Sequence, residues 1–197
     1  MQINWLEVKR KLFHLIAGII IVALLNFDII NLNWLLLLLA IAVISSLIAK
    51  FYPHSFFNWF LDHLDRDHDR YSLPGRGSIT YLIGIVLALS LFEKDIALAA
   101  ILIMVIGDAV GPLVGMHFAK TKHILNQKKL VEGTIAGVIA ATIAAWVFVN
   151  FFEALLGSIV GMVVETIEFK YFKKSFLDDN ITIPVVSGFI IYLLSLL

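Results

Sequence analysis

Residues 96–120 read "IALAAILIMVIGDAVGPLVGMHFAK". An unbroken apolar run meets Asp108, Pro112 and three glycines, Gly107, Gly111 and Gly115, each four residues from the last. A helix of this length and polarity suits a bilayer interior. A charged carboxylate at membrane depth is costly, which makes Asp108 a candidate site residue rather than a packing residue. Spacing of four puts the glycines on one helix face, where helices approach closely. Pro112 predicts an end or kink that frees backbone groups.

The rest of the chain agrees with that reading. Of 197 residues, 60% are hydrophobic and 15% charged, and mean hydropathy is +0.94. Soluble domains are nearer half apolar and a quarter charged. The composition predicts an all-α polytopic membrane bundle, one integral domain over residues 1–197. There are no cysteines, so disulfides and thiolate metal sites are excluded. Fifteen basic residues balance fifteen acidic ones, and net charge points to no polyanionic partner such as nucleic acid. The start, "MQINWLEVKRKLFHL", has no small-residue cleavage site after its basic region, so no cleaved leader is expected.

Seven apolar spans are predicted, near residues 12–25, 34–50, 78–93, 95–116, 133–152, 154–169 and 181–197. Fourteen of the fifteen Lys and Arg then fall on one side, and Lys94 stands alone on the other. The positive-inside rule puts the N-terminus and the basic loops in the cytoplasm. The loop at about 51–77 begins with an aromatic stretch, "FYPHSFFNWFLDHL", suited to the membrane interface. Its "DHLDRDHDR" contains His63, Asp67 and His68, for which a solvated mixed-charge loop is a simpler reading than a metal site.

Four clusters carry candidate chemistry, all on the basic side. Asp108 is the first. The second is "KTKHILNQKKLVEGT", where Lys120, Lys122, Lys128 and Lys129 precede Glu132 and Gly133 at the entry to a span. Positive-inside anchoring accounts for some of these lysines. Phosphate binding accounts for them with the helix N-terminus, with Glu132 capping the helix or ligating a metal. The spacing is not that of a Walker A loop. The third is "LDDNITIP", where Asp178, Asp179 and Asn180 are hard oxygen ligands suited to Mg²⁺ shared with substrate phosphates, or an Asx turn capping the last helix. Glu165 adds a second acid within an apolar run. The fourth is "EVKRKLFHLIAG", where Lys9, Arg10 and His14 begin the first span and would face a headgroup. Gly157 and Gly161 are expected to serve packing alone.

Taken in order, "EVKRKLFHL", "GDAVGPLVGMHFAK", "KKLVEGTIAG" and "DDNITIPV" resemble the motifs of the CTP-dependent polyprenol kinases, the group of dolichol kinases, phytol kinases and the yeast-type diacylglycerol kinase. The motifs span residues 7 to 185. The resemblance implies an all-helical membrane enzyme that uses Mg²⁺ and transfers the γ-phosphate of CTP to a lipid alcohol, from an active site facing the cytoplasm. It implies catalytic roles for Asp108, Asp179 and Lys129, with Asp108 and Asp179 holding the metal or Asp108 acting as the base for the lipid hydroxyl; Glu165, as an acid within an apolar run, is a further metal candidate from the residues themselves. It implies nucleotide contacts from Gly107, Gly115, Lys120, Glu132, Gly133 and Asn180, to which the glycine face and the lysine loop themselves add Gly111, Lys122 and Lys128, mostly in a loop over about 107–134. Lys9, Arg10, His14 and Arg76 would meet the lipid headgroup. Met116, Ala119 and Leu130 depart from the family pattern; Lys120, Lys122 or Arg76 would supply positive charge in compensation.

Two other functions fit the same residues. A CTP-dependent phospholipid cytidylyltransferase would release pyrophosphate where a kinase releases CDP. A small ion-coupled transporter would place Asp108 and Glu165 on an ion path. The small-residue faces would also permit a homodimer.

Overall fold

A computed structural model describes residues 5–52, 73–118, 121, 129–166 and 178–197, without the side chains of 117 and 118. The described residues are helical, with no strand element. In chain order they form α1 (Trp5–Asn26), α2 (Leu32–Phe51), α3 (Arg76–Leu91), α4 (Lys94–Leu102), a π-helical turn (Ile103–Gly107), α5 (Asp108–Phe118), α6 (Val131–Ala145), α7 (Phe151–Thr166) and α8 (Asp179–Ser195). The segment from α4 through the π turn to α5 is continuous. The described chain is therefore seven rods, one for each predicted span.

Local chemistry sets the ends. Asn31 caps α2 by accepting from the Asn33 N–H at 3.1 Å. Gly75 enters α3 at φ 72, a left-handed conformation that glycine adopts without cost. A reciprocal capping box starts α7: the Asn150 N–H donates to Glu153 Oε2, and the Glu153 N–H donates to Asn150 Oδ1. That box corrects the predicted span over 133–152. The helix stops at Ala145, residues 146–150 turn, and the chain restarts at Phe151. Pro112 does not end its helix either, since α5 runs on to Phe118. It does withhold an N–H from the Asp108 carbonyl.

The rods alternate in direction, so each end of the bundle collects alternate loops. At one end Lys94 Nζ lies 2.6 Å from Asp28 Oδ1 and donates to the Asn26 carbonyl at 3.1 Å. The isolated basic residue of that side is thus neutralised locally. The other end gathers the start of α1, the starts of α3, α6 and α8, the α5 segment and the last turn of α7.

α4 is apolar on all sides and sits at the centre: Ala97 through Ile101 have no exposed surface. α2 is equally apolar yet mostly exposed. Leu36, Leu37, Leu38, Ile41 and Ile44 all face outward, and Ile135, Ile139 and Ile143 do the same on α6. In water an apolar surface of this extent would aggregate. By length and composition, Leu32–Phe51 and Lys94–Met116 are long and apolar enough to cross a membrane; Arg76–Leu91, Val131–Ala145 and Asp179–Ser195 are apolar but shorter.

Candidate functional site

Three acids meet two lysines at the basic end of the bundle. Lys11 Nζ of α1 lies 2.5 Å from Asp108 Oδ2 at the head of α5. Both side chains are nearly withdrawn from solvent, at 7% and 14% exposure. Lys129 Nζ lies 2.7 Å from Glu165 Oε1 and 3.5 Å from Asp179 Oδ2. It also donates to the Glu165 backbone carbonyl at 2.5 Å, which places a cation at the C-terminus of α7, where the helix dipole favours one.

The two groups share one field. Burial alone would lower the Lys129 pKa, but the charges of Glu165, Asp179 and Asp108 outweigh it and raise it above the ordinary lysine value. Asp179, at the mouth of the last span, is pushed above the usual aspartate value. Burial raises it, Lys129 opposes this, and Asp108 adds a further rise.

A second layer surrounds the ion pairs. The His14 ring stacks on Tyr81 of α3, with centroids 4.9 Å apart and planes 18° apart. The Tyr81 hydroxyl donates to the His14 carbonyl at 2.9 Å. Gly18, one turn deeper on α1, leaves the space that this hydroxyl fills. Arg10 pairs with Glu7 at 2.6 Å, and its Nη1 lies against Gly77. The buried Arg10 Nε has no hydrogen-bond partner among the described residues.

Asn180 fastens α8 to α3. Its amide nitrogen donates to Thr80 Oγ1 at 3.2 Å and to the Gly77 carbonyl at 3.4 Å. Pro184 cannot donate to the Asn180 carbonyl four residues before it. That oxygen lies instead against Gly84, in the space a Cβ would occupy. The neighbouring aspartates divide their work. Asp178 caps α8, its Oδ1 accepting from the Asn180 N–H at 3.1 Å, as an Asx turn would. Asp179 faces Lys129.

The structure thus brings Asp108, Lys129, Glu165, Asp179, Arg10, His14 and Asn180 to one end of the bundle. Lys9, on the same turn of α1, is exposed. Arg76 opens α3 beside Gly77. Lys120, Lys122 and Lys128 lie outside the described residues, as do His63, Asp67, His68 and most of the 51–77 loop.

Gly107, Gly111, Gly115 and Gly133 are buried in a helix contact. A Cβ on Gly133 would meet the Gly111 carbonyl at 2.6 Å, and one on Gly137 would meet the Gly107 carbonyl at 3.1 Å. α5 and α6 cross backbone to backbone, and small residues allow it. Gly157 and Gly161 pack similarly against Ile191 and Ser187 of α8. Glu132 does not cap α6. Its carboxylate accepts from the Thr121 N–H at 3.1 Å while the Val131 N–H donates to the Thr121 carbonyl at 3.0 Å, which clasps the loop at its base.

Lys11, Thr80 and Tyr81 join the site through the structure alone. A lysine at the start of a span already has an ordinary explanation in positive-inside anchoring. Thr80 and Tyr81 carry a visible signal: Gly77, Thr80, Tyr81 and Gly84 are at i, i+3, i+4 and i+7, a small and polar stripe along an otherwise apolar helix.

Among the described residues no group of three or more His, Cys, Asp or Glu is gathered closely enough to hold a metal ion. Asp108, Glu165 and Asp179 offer hard oxygen donors of the kind a divalent cation takes, and each faces an ammonium group. Compared with family models, curated proteins and solved structures, the chain matches none.

Proposed function

We propose that this chain is a polytopic membrane enzyme that transfers the γ-phosphoryl group of CTP to a lipid alcohol. The alcohol would be an isoprenoid alcohol of the polyprenol, dolichol or phytol type, or diacylglycerol. The exposed Leu and Ile faces of α1, α2 and α6 support membrane burial of all seven rods. The fourteen-to-one distribution of basic residues supports a cytoplasmic N-terminus and a cytoplasmic site.

The observation that carries the catalytic reading is the convergence of Asp108, Glu165 and Asp179 with Lys11 and Lys129. Phosphoryl transfer asks a protein for alignment and charge more than for covalent chemistry. Asp108 and Asp179, with Glu165 behind Lys129, would hold Mg²⁺, which when bound supplies charge neutralisation at the phosphates. Lys11 and Lys129 provide mobile and fixed positive charge at the same place. Arg10, whose Nε is unsatisfied, and His14, held by its stack on Tyr81, are set to receive the headgroup end of the lipid. The apolar rods exclude water from the acceptor, which favours transfer over hydrolysis.

In the transfer, the lipid hydroxyl oxygen bonds to the γ-phosphorus. The bond from that phosphorus to the β–γ bridging oxygen breaks, and CDP leaves. The hydroxyl proton is released to solvent. A loose transition state places little demand on a strong base.

The test uses purified full-length protein in lipid nanodiscs with Mg²⁺, γ-labelled CTP or ATP, isoprenoid alcohols and diacylglycerol. Label is expected in the lipid and CDP in solution, with CTP the better donor. Asp108→Asn is expected to lower turnover at least about a hundredfold, as loss of a charged transition-state contact does. Near-normal turnover would sink the proposed site. Release of pyrophosphate would replace the kinase with a cytidylyltransferase, and solute flux without CTP dependence would replace it with a transporter.

A further inference from the structure

The two lysines at the site are held in different ways. Lys129 is fastened three times, to the Glu165 carboxylate, the Glu165 carbonyl and Asp179. Lys11 has one partner among the described residues, Asp108, and Asp108 has no other partner among them than Lys11. The pair is buried, so neither charge can rely on water when the other leaves. Lys11 also has the means to move: an ammonium on a flexible four-carbon stem, with three donors that can rotate toward a new acceptor.

We infer that Lys11 is an exchangeable counter-ion, which neutralises Asp108 in the ligand-free site and passes to a nucleotide phosphate oxygen when a divalent cation takes Asp108. The inference rests on the nucleotide–metal reading of the site. Its physical basis is the single ion pair. A metal ion arriving alone must displace a buried ammonium and leave it without its paired anion. A triphosphate arriving alone must draw Lys11 away and leave a buried carboxylate without its paired cation. Arriving together, each ligand satisfies the partner that the other strands. Metal and nucleotide are therefore coupled through one ammonium group, and the coupling is the same whichever binds first. Lys129 does not leave Glu165, where two contacts and the C-terminus of α7 hold it, and only its longer contact to Asp179 yields when that acid takes the ion.

Two binding measurements, each with one ligand present, test this without turnover. Lys11→Met removes the competitor for Asp108 and leaves the acid in search of a cation. Mn²⁺ alone, followed by electron paramagnetic resonance, is expected to bind about tenfold or more tightly than to wild type. Asp108→Asn releases Lys11, so CTP alone, in the presence of a chelator, is also expected to bind about tenfold or more tightly, although this variant is inactive. Either variant suffices should the other fail to fold. Unchanged or weakened affinity in a folded variant overturns the inference. Wild-type protein with Mn²⁺ and CTP together separates the two failures: binding there without a gain in the variants leaves the kinase reading standing and removes the exchange, whereas no binding at all removes both.

Discussion

Lys129 closes the gap between α6 and α7 by reaching Glu165, with Nζ 2.7 Å from Oε1 and 2.5 Å from the backbone carbonyl of the same residue. Glu165 is 5% exposed, so its carboxylate depends on this one ammonium. Removing one partner of such a pair leaves a buried charge, whereas removing both leaves a neutral contact. Lys129→Met is therefore expected to destabilise by about 3 kcal/mol, the lower part of the range for buried pairs, because Lys129 itself retains 28% exposure. Lys129→Met combined with Glu165→Gln should recover most of that loss. Thermal unfolding in detergent would measure both, and a double variant no more stable than the single one would show that the pair is not the cause.

Much of this fold was legible from residue type. Each of the seven rods matches an apolar run, because a helix satisfies its own backbone groups and leaves an apolar surface to be buried. Lys94 stands at one end of the bundle and Lys11 and Lys129 at the other, the separation that the pattern of basic residues predicts. The breaks were less legible. Residues 146–150 are still largely apolar, and only the Asn150–Glu153 box reveals the turn. The π turn over 103–107 lies in Ile, Met and Val, which do not distinguish it from α-helix. Within the site, the acids stood out because a carboxylate in an apolar run is costly. Lys11 did not, because a lysine at the start of a span already has an ordinary explanation. The glycine spacing is readable as close helix packing, and the carbonyl contacts at Gly133 and Gly137 show that packing.

Two glycines on α3 should respond in opposite ways. A Cβ at Gly84 would overlap the Asn180 carbonyl, which is backbone and cannot rotate aside. Gly84→Ala is expected to push α3 and α8 apart at a cost of about 1–3 kcal/mol, and to displace Asp179 with them. At Gly77 the nearest atoms to a Cβ are Arg10 Nη1 at 3.6 Å and His14 Cε1 at 3.8 Å, ordinary contact distances. Gly77→Ala should stay within about 1 kcal/mol of wild type, with helix propensity in its favour. Melting temperatures and turnover of the two variants, measured side by side, check the contrast. Equal damage at both positions would refute the close α3–α8 crossing.

The adjacent aspartates at the start of α8 should separate stability from activity. Asp178 accepts from the Asn180 N–H and acts as a cap, so Asp178→Ala is expected to cost about 1 kcal/mol and Asp178→Asn or Asp178→Ser much less. All three should keep most turnover under the proposed assay. Asp179 faces Lys129 and, in the proposed reaction, the metal. Asp179→Asn should fold and lose at least about a hundredfold in turnover. A reversed pattern, with Asp178→Asn inactive and Asp179→Asn active, would move the proposed ligand one residue upstream.

The direction of the chain across the membrane can be tested cleanly because the protein has no cysteine. Any single introduced thiol is then the only site for a maleimide. Phe27 and Val147 are 73% and 75% exposed and lie at the Lys94 end of the bundle, between α1 and α2 and between α6 and α7. Thr121 is exposed at the opposite end, where its backbone is clasped by Glu132 and its side chain is not part of that contact. In intact cells a membrane-impermeant maleimide is expected to label Phe27→Cys and Val147→Cys. Thr121→Cys should label only after the membrane is opened. The rods alternate, so this pattern would also follow from the even number of crossings that separates Phe27 from Val147 and the odd number that separates each from Thr121. Labelling of all three from the same side would remove the alternating topology, and with it the proposed placement of Asp108 and Lys11 at a cytoplasmic surface open to the proposed nucleotide.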